Sequence, residues 1–182
     1  QRVLDYDDLL LYWAQMVSEP ALGREIGDRF SHVLVDEYQD TNRLQAAILL
    51  AMKPDGRGLT VVGDDAQSIY AFRGATMRNI LDFPAHFDPP AQLVTLDRNY
   101  RSTQDILAAA NQVIALASER FTKDLWSDRA STGKPRLVAV RDDADQALHV
   151  VEQVLARRES GIRLKAQAVL FRTAQHSVRL EL

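Results

Sequence analysis

Apolar positions along this chain follow two periods, and the changes between them outline its elements. Leu9, Leu10, Trp13 and Met16 or Val17 recur on one side of a helical wheel, which predicts a helix over 6–17 with Trp13 in its core stripe. Pro20 is placed to open a second, short helix reaching Arg29. Residues 31–36 and 59–62 are short apolar runs that read as strands. The first runs into Asp36-Glu37 and the second into Gly63-Asp64-Asp65. Thr41 or Asn42 can cap a helix over 43–52, and Pro54-Asp55-Gly56-Arg57-Gly58 is a turn cluster. A helix over 75–83 precedes a break at Pro84, Pro89 and Pro90. Further along, the pattern predicts a strand over 92–96, an Ala-rich helix over 103–118, a strand over 136–140, a helix over 144–158 and a strand over 166–171. A last helix starts at Gln175 and runs to Leu182.

Strands alternating with helices through short loops indicate an α/β fold with a mostly parallel sheet. The strands are apolar without clean alternation, as expected where both sheet faces are covered. The polar, irregular stretch 121–135 is the best domain boundary.

Composition narrows the function classes. The 182 residues are 46% apolar and 7% aromatic, which is globular and not disordered. Net charge is −3, yet only four of the 22 basic residues are lysine. Arginine suits bidentate contacts to phosphate or carboxylate. With no cysteine, disulfides and thiolate metal sites are excluded. No apolar stretch approaches membrane-spanning length, and 1–10 does not read as a signal peptide, so a cytoplasmic protein is the default expectation.

The informative stretch is 31–42, SHVLVDEYQDTN, a buried-looking strand that stops on two carboxylates. In open parallel sheets ligands gather beyond the carboxyl ends of strands. One acid there can hold Mg²⁺ through water while its neighbour orients or deprotonates an attacking water. The bland alternative is that acids end strands as turn formers. A complete nucleotide site also needs G-x-x-x-x-G-K-[ST], which these residues lack. The one Gly-Lys pair, Gly133-Lys134, has Asp128 where the first Gly belongs and Pro135 where Ser or Thr belongs. On the residues alone, the chain carries half of a phosphoryl-transfer site.

Asp36-Glu37-Tyr38-Gln39-Asp40-Thr41-Asn42 resembles the second motif of superfamily 1 helicases, in their UvrD/Rep/PcrA-like branch. The stretch 62–75, VGDDAQSIYAFRGA, resembles the third motif, and 96–103, LDRNYRST, the fourth. Weaker matches are 6–10, YDDLL, and 168–173, AVLFRT. The resemblance covers essentially the whole chain. It implies a RecA-like, P-loop NTPase-type α/β fold, with 1–125 as the later part of a first motor domain and 126–182 as a connector and the beginning of a second. It further implies ATP-driven translocation on single-stranded DNA or single/double-strand junctions, usually 3′ to 5′, with ATP and Mg²⁺ as cofactors.

Carried over, Asp36 and Glu37 are the metal site, and Glu37 activates the attacking water. Gln67 senses the γ-phosphate, Tyr100 stacks on adenine, Arg101 reaches the γ-phosphate across the cleft, and Asp64 supports the site by hydrogen bonding. Tyr70, Phe72 and Arg73 form the DNA-facing set, since aromatic faces stack bases without reading sequence and arginine meets phosphate. Many relatives have Trp at the position of Phe72. The bland alternative places Phe72 in the core and pairs Arg73 with an acid. The phosphate-binding loop is expected before Gln1 and the last motifs after Leu182, so the chain alone is expected to be inactive. Self-association through exposed strands would then be an artefact. A non-catalytic DNA- or protein-binding module and a helicase-nuclease motor are the alternative readings. A flavodoxin-like domain fits the alternation but leaves all three motifs unexplained.

Overall fold

The computed structural model describes residues 4–181, with every side chain in that range except those of Arg73, Arg179 and Glu181. Leu182, the end of the last expected helix, lies outside the described residues. The chain divides into two compact units, residues 1–134 and 135–182.

In the first unit, α1 (Tyr6–Ser18) opens on a capping box. The Asp5 side chain accepts from the Asp8 N–H, and the Asp8 side chain accepts from the Asp5 N–H. Next, α2 (Pro20–Asp28) starts on its proline, and β1 (Val33–Val35) follows. Asn42 and Gln45 form a second capping box that opens α3 (Arg43–Met52). The strand β2 (Leu59–Val61) pairs with β1 in parallel, Val33 opposite Leu59 and Val35 opposite Val61. The short α4 (Met77–Asp82) continues into a 3₁₀ turn over Phe83–His86, and α5 (Gln104–Ile114) follows the proline break.

Two apolar clusters hold this unit, and α3 contributes to both. Ala46 packs with Tyr38, Ile80 and Phe83 against the sheet residues Val35, Leu59 and Val61. Ile48 and Met52 pack with Val17 against Leu10, Ala14 and Ile26. The stripe that α1 buries is therefore Leu10, Ala14 and Val17. Trp13, expected in the core, is 43% exposed. The helix has apolar residues on a second face as well, and periodicity cannot say which one meets α3.

The sheet is smaller than expected. The segments 92–96, 136–140 and 166–171 are not strands, although their apolar residues suit strands. A strand exists only through a ladder partner, and among the described residues none lies beside them. Leu96, Leu137 and Leu170 are consequently exposed. Leu34 on β1 is 76% exposed, so one sheet face is covered and the other is open, contrary to the expectation of two covered faces.

The irregular segment beyond residue 120 is stitched to the first unit. Asn111 exchanges hydrogen bonds with the Leu125 backbone, the Trp126 N–H donates to Asp97 O, and the Ser127 N–H donates to Gln104 Oε1. In the second unit, α6 (Asp143–Glu159) is capped by Asp142 and ends on Arg157 and Arg158, both favourable to its dipole. A 3₁₀ turn over Ala174–Ser177 leads into α7 (Val178–Glu181).

Candidate nucleotide site

Parallel pairing places the carboxyl ends of β1 and β2 at one edge. The ladder runs on past the strands, since the Val62 N–H donates to Val35 O (2.7 Å) and the Tyr38 N–H donates to Val62 O (2.9 Å). Asp36-Glu37 therefore leaves the sheet beside Gly63-Asp64. The backbone turns at Glu37, which has φ 50° and ψ 41°. It is the one non-glycine residue with positive φ among the described residues. That conformation costs a side-chain-bearing residue about 1–2 kcal/mol. Asp36 Oδ1 accepts from the Glu37 N–H at 2.9 Å.

Gln39, 1% exposed, joins the two loops. Its Nε2 donates to Glu37 Oε2 (2.7 Å), and its Oε1 accepts from the Asp64 N–H (3.0 Å). Gly63 provides the space, because a Cβ there would lie 2.6 Å from Gln39 Oε1 and 2.7 Å from Ile80 Cδ1. Asp64 Oδ2 accepts from Gln67 Nε2 (2.9 Å), and its Oδ1 accepts from the Ala66 N–H (3.0 Å). Asp36, Glu37, Asp64 and Gln67 thus belong to one hydrogen-bonded set. The segment after Gly74 returns to the first loop, where Asn79 Nδ2 donates to Thr41 O at 2.9 Å.

A cation from the irregular segment completes the set. Lys123 Nζ hydrogen-bonds Asp64 Oδ1 and lies 3.2 Å from Asp65 Oδ1, while the Phe121 N–H donates to Asp65 Oδ2. Burial works to raise the Asp64 carboxyl, but the bonds from Lys123 and Gln67 outweigh it and hold the group below its ordinary value. Burial likewise works to lower the Lys123 amine, and Asp64 and Asp65 outweigh it and raise the group. Stability owed to Asp64 is therefore present above the ordinary carboxylate range near ~4 and lost as pH falls through the lower folded value. Stability owed to Lys123 is present below the ordinary lysine value of about 10.4 and lost as pH rises through the higher folded value. Urea midpoints measured from pH 3 to 11 are expected to lose in Lys123→Met the Lys123 contribution and that share of the Asp64 contribution which Lys123 supplies, the bonds from Gln67 and Ala66 remaining.

Asp36 Oδ2 and Glu37 Oε1 accept no hydrogen bond from the described residues, and both side chains are exposed. This donor set fits Mg²⁺, which takes one or two carboxylates and fills its shell with water and phosphate oxygens. No group of three or more His, Asp or Glu able to hold a metal occurs among the described residues. A cation here would draw its remaining ligands from water and nucleotide.

The other sequence-predicted residues are Tyr70, Phe72, Arg73, Tyr100 and Arg101. The Tyr70 and Phe72 rings are tilted at 52° to each other with centroids 5.8 Å apart, and Phe72 is 78% exposed. The Arg73 side chain lies outside the described part of the structure. The Tyr100 ring is 70% exposed and carries the Arg98 guanidinium 4.9 Å from its centroid, and the same guanidinium lies 5.3 Å from the Trp126 ring. Arg101 is exposed, and its backbone N–H is held by Asn99 Oδ1. Among the described residues, no hydrogen bond or ion pair joins Tyr100 or Arg101 to Asp36, Glu37, Asp64 or Gln67. Sequence reasoning missed Gln39 and Lys123. Gln39 carried a signal, an amide able both to donate and to accept two residues after the acid pair. Lys123 carried none beyond being one of four lysines.

Residues 1–88 match the UvrD/REP helicase N-terminal domain, and residues 94–182 match the UvrD-like helicase C-terminal domain. The chain belongs to the UvrD-like helicase family. Among its relatives is the ATP-dependent DNA helicase PcrA of Staphylococcus epidermidis, 37% identical over 179 residues, which are 98% of this chain and 24% of that protein. The ATP-dependent DNA helicase PcrA of Staphylococcus aureus is 36% identical over the same shares. The chain thus spans about a quarter of the length of these relatives. The UvrD-like fold is α/β and RecA-like, consistent with the parallel β1–β2 pair and its flanking helices. No described helix is long and apolar enough to cross a membrane.

Proposed function

We propose that the protein carrying this chain is an ATP-dependent translocase on single-stranded DNA and a DNA helicase, working 3′ to 5′ in the cytoplasm. The observation that carries this reading is the pair of loops bonded through Gln39, which sets Glu37 and Gln67 at one sheet edge. The PcrA relatives, named as ATP-dependent DNA helicases, support it. Residues 1–125 are the later part of a first motor domain, and 126–182 are a connector and the beginning of a second. The open face at Leu34 and the unpaired apolar segments are surfaces for the remaining motor segments of the same protein.

Within this reading Asp36 and Glu37 would hold Mg²⁺, which would supply charge neutralisation on the phosphates. The Glu37 carboxylate accepts the proton of the attacking water, while Gln39 fixes one of its oxygens and leaves the other toward solvent. Gln67, restrained by Asp64, offers an amide that both donates and accepts, so it reports the γ-phosphate without acting as a base. Arg101 stabilises charge on the transferring phosphoryl group, and Tyr100 offers a face to adenine. Tyr70, Phe72 and Arg73 take single-stranded DNA, the rings by stacking and the guanidinium on phosphate.

The test is ATP hydrolysis by the complete protein with and without single-stranded DNA. Strong stimulation is expected. The 182-residue chain alone, lacking loop amides and a lysine to cradle the β- and γ-phosphates, is expected to show none. Absence of stimulated hydrolysis in the folded complete protein would remove the reading.

A further inference from the structure

The geometry points to Lys123 as a positioning residue for hydrolysis, acting from the irregular segment on both Glu37 and Gln67 through Asp64. This rests on the function proposed above. Three observations support it.

The first is connectivity. Lys123 Nζ bonds Asp64 Oδ1, and the other Asp64 oxygen accepts from Gln67 Nε2. The Asp64 backbone N–H is held by Gln39 Oε1, and Gln39 Nε2 donates to Glu37 Oε2. One cation thus sits at the root of two short branches, each ending on a group proposed to meet the γ-phosphate or its attacking water. Neither branch passes through an exposed, freely rotating side chain before its last member.

The second is charge balance in a poorly hydrated place. The Asp65 side chain is 2% exposed, Asp64 is 25% exposed and Lys123 is 15% exposed. Two adjacent carboxylates at that depth need a cation, because like charges withdrawn from water repel strongly. Lys123 is the only side chain that ion-pairs with either among the described residues. Without it, Asp64 turns toward solvent, which releases Gln67, or takes a proton, which removes the charge that strengthens its hold on Gln67.

The third is origin. Lys123 lies 59 residues beyond Asp64, in the segment after α5 that also anchors itself by the Phe121 N–H on Asp65 Oδ2. A displacement of that segment moves Lys123 and Phe121 together. It therefore acts on Asp64 and Asp65 at once, and through Asp64 on the two proposed catalytic side chains.

The experiment uses the complete protein and compares Lys123→Met and Lys123→Arg with the unaltered form. Each is assayed for DNA-stimulated kcat, for the KM of ATP and for binding of a fluorescent ADP analogue. Lys123→Met is expected to lower kcat tenfold or more, with KM for ATP and ADP-analogue affinity within threefold, and Lys123→Arg is expected to recover most of the loss. A purely structural lysine would instead lower the folded fraction and leave kcat per folded molecule unchanged, and that result would overturn the proposal. If Lys123→Met does not fold, Lys123→Gln is read the same way, an unchanged kcat again overturning it. An unaltered protein that hydrolyses no ATP overturns the functional reading and this one together. A hydrolysing protein indifferent to Lys123 overturns only the role of Lys123.

Discussion

Glu37→Gln in the complete protein is expected to lower DNA-stimulated ATP hydrolysis by roughly 10²- to 10⁴-fold, the usual worth of a positioned general base. At 1.36 kcal/mol per tenfold, that is about 3–5 kcal/mol of transition-state stabilisation. The substitution keeps shape and length, and a glutamine Oε can still accept from Gln39 Nε2, which now bonds Glu37 at 2.7 Å. What is lost is the charge and the capacity to take a proton. The loss should therefore fall mainly on kcat, with the affinity for single-stranded DNA nearly unchanged, and steady-state kinetics with a DNA-binding titration would measure both. Retention of more than a tenth of the activity would assign the base elsewhere. The left-handed backbone at Glu37 gives an independent reason to look there. A conformation that costs about 1–2 kcal/mol persists where surrounding structure imposes it, and such strain clusters at functional sites. Here the Val62–Val35 and Tyr38–Val62 hydrogen bonds impose it by keeping the chain in the ladder on either side of the turn.

The first half of this site was legible in the sequence because its causes are local. A short apolar run ending on two acids is a strand leaving a sheet, and Thr41 or Asn42 ahead of an apolar-periodic run caps a helix. Both are found, at β1 and at the Asn42–Gln45 box of α3. The partners of the acids were not legible for the opposite reason. Gln39 reaches Asp64 across 25 residues and Lys123 reaches it across 59, and no window of residues records such a pairing. The strands expected at 92–96, 136–140 and 166–171 failed on the same point. Apolar residues make a segment fit to be a strand, but a ladder needs a neighbour that the segment does not itself specify. Trp13 shows the limit for helices. Leu9, Trp13 and Met16 form one stripe of α1 and Leu10, Ala14 and Val17 another, and contact with α3 chose the one with the smaller side chains. That choice follows from how closely the helices approach, which depends on α2.

The close approach of α2 predicts the largest loss of stability, at Gly27→Ala. In an ordinary exposed helix interior the change would stabilise by about 1 kcal/mol, because alanine loses less backbone entropy than glycine. Here a Cβ would lie 2.0 Å from Met52 O and 3.0 Å from Met52 C. Both are backbone atoms at the end of α3 and cannot swing aside as a flexible side chain would. Gly23, one turn earlier, faces Val17 O at 2.7 Å and Ala51 O at 3.1 Å. The two glycines lie four residues apart, so they share one face of α2 and let it lie directly on the ends of α1 and α3. Relieving the clash at Gly27 means moving α2 away from Met52, which opens the cluster of Val17, Ile48 and Met52. Overpacking costs about 1–3 kcal/mol where side chains can adjust, and a backbone obstruction belongs at or above the top of that range. The net expectation is a loss of about 3 kcal/mol or more, read as a lower urea midpoint by circular dichroism. Glu25→Ala on the exposed side of the same helix is the control. It removes only the surface pair with Arg29, worth about 0.3–0.5 kcal/mol. Because α3 begins immediately after the Asp36–Thr41 loop, loosening its far end also loosens the capping box at Asn42 that fixes where the loop ends. Gly27→Ala should therefore weaken catalysis in the fraction that still folds, while Glu25→Ala leaves both stability and turnover close to the unaltered protein.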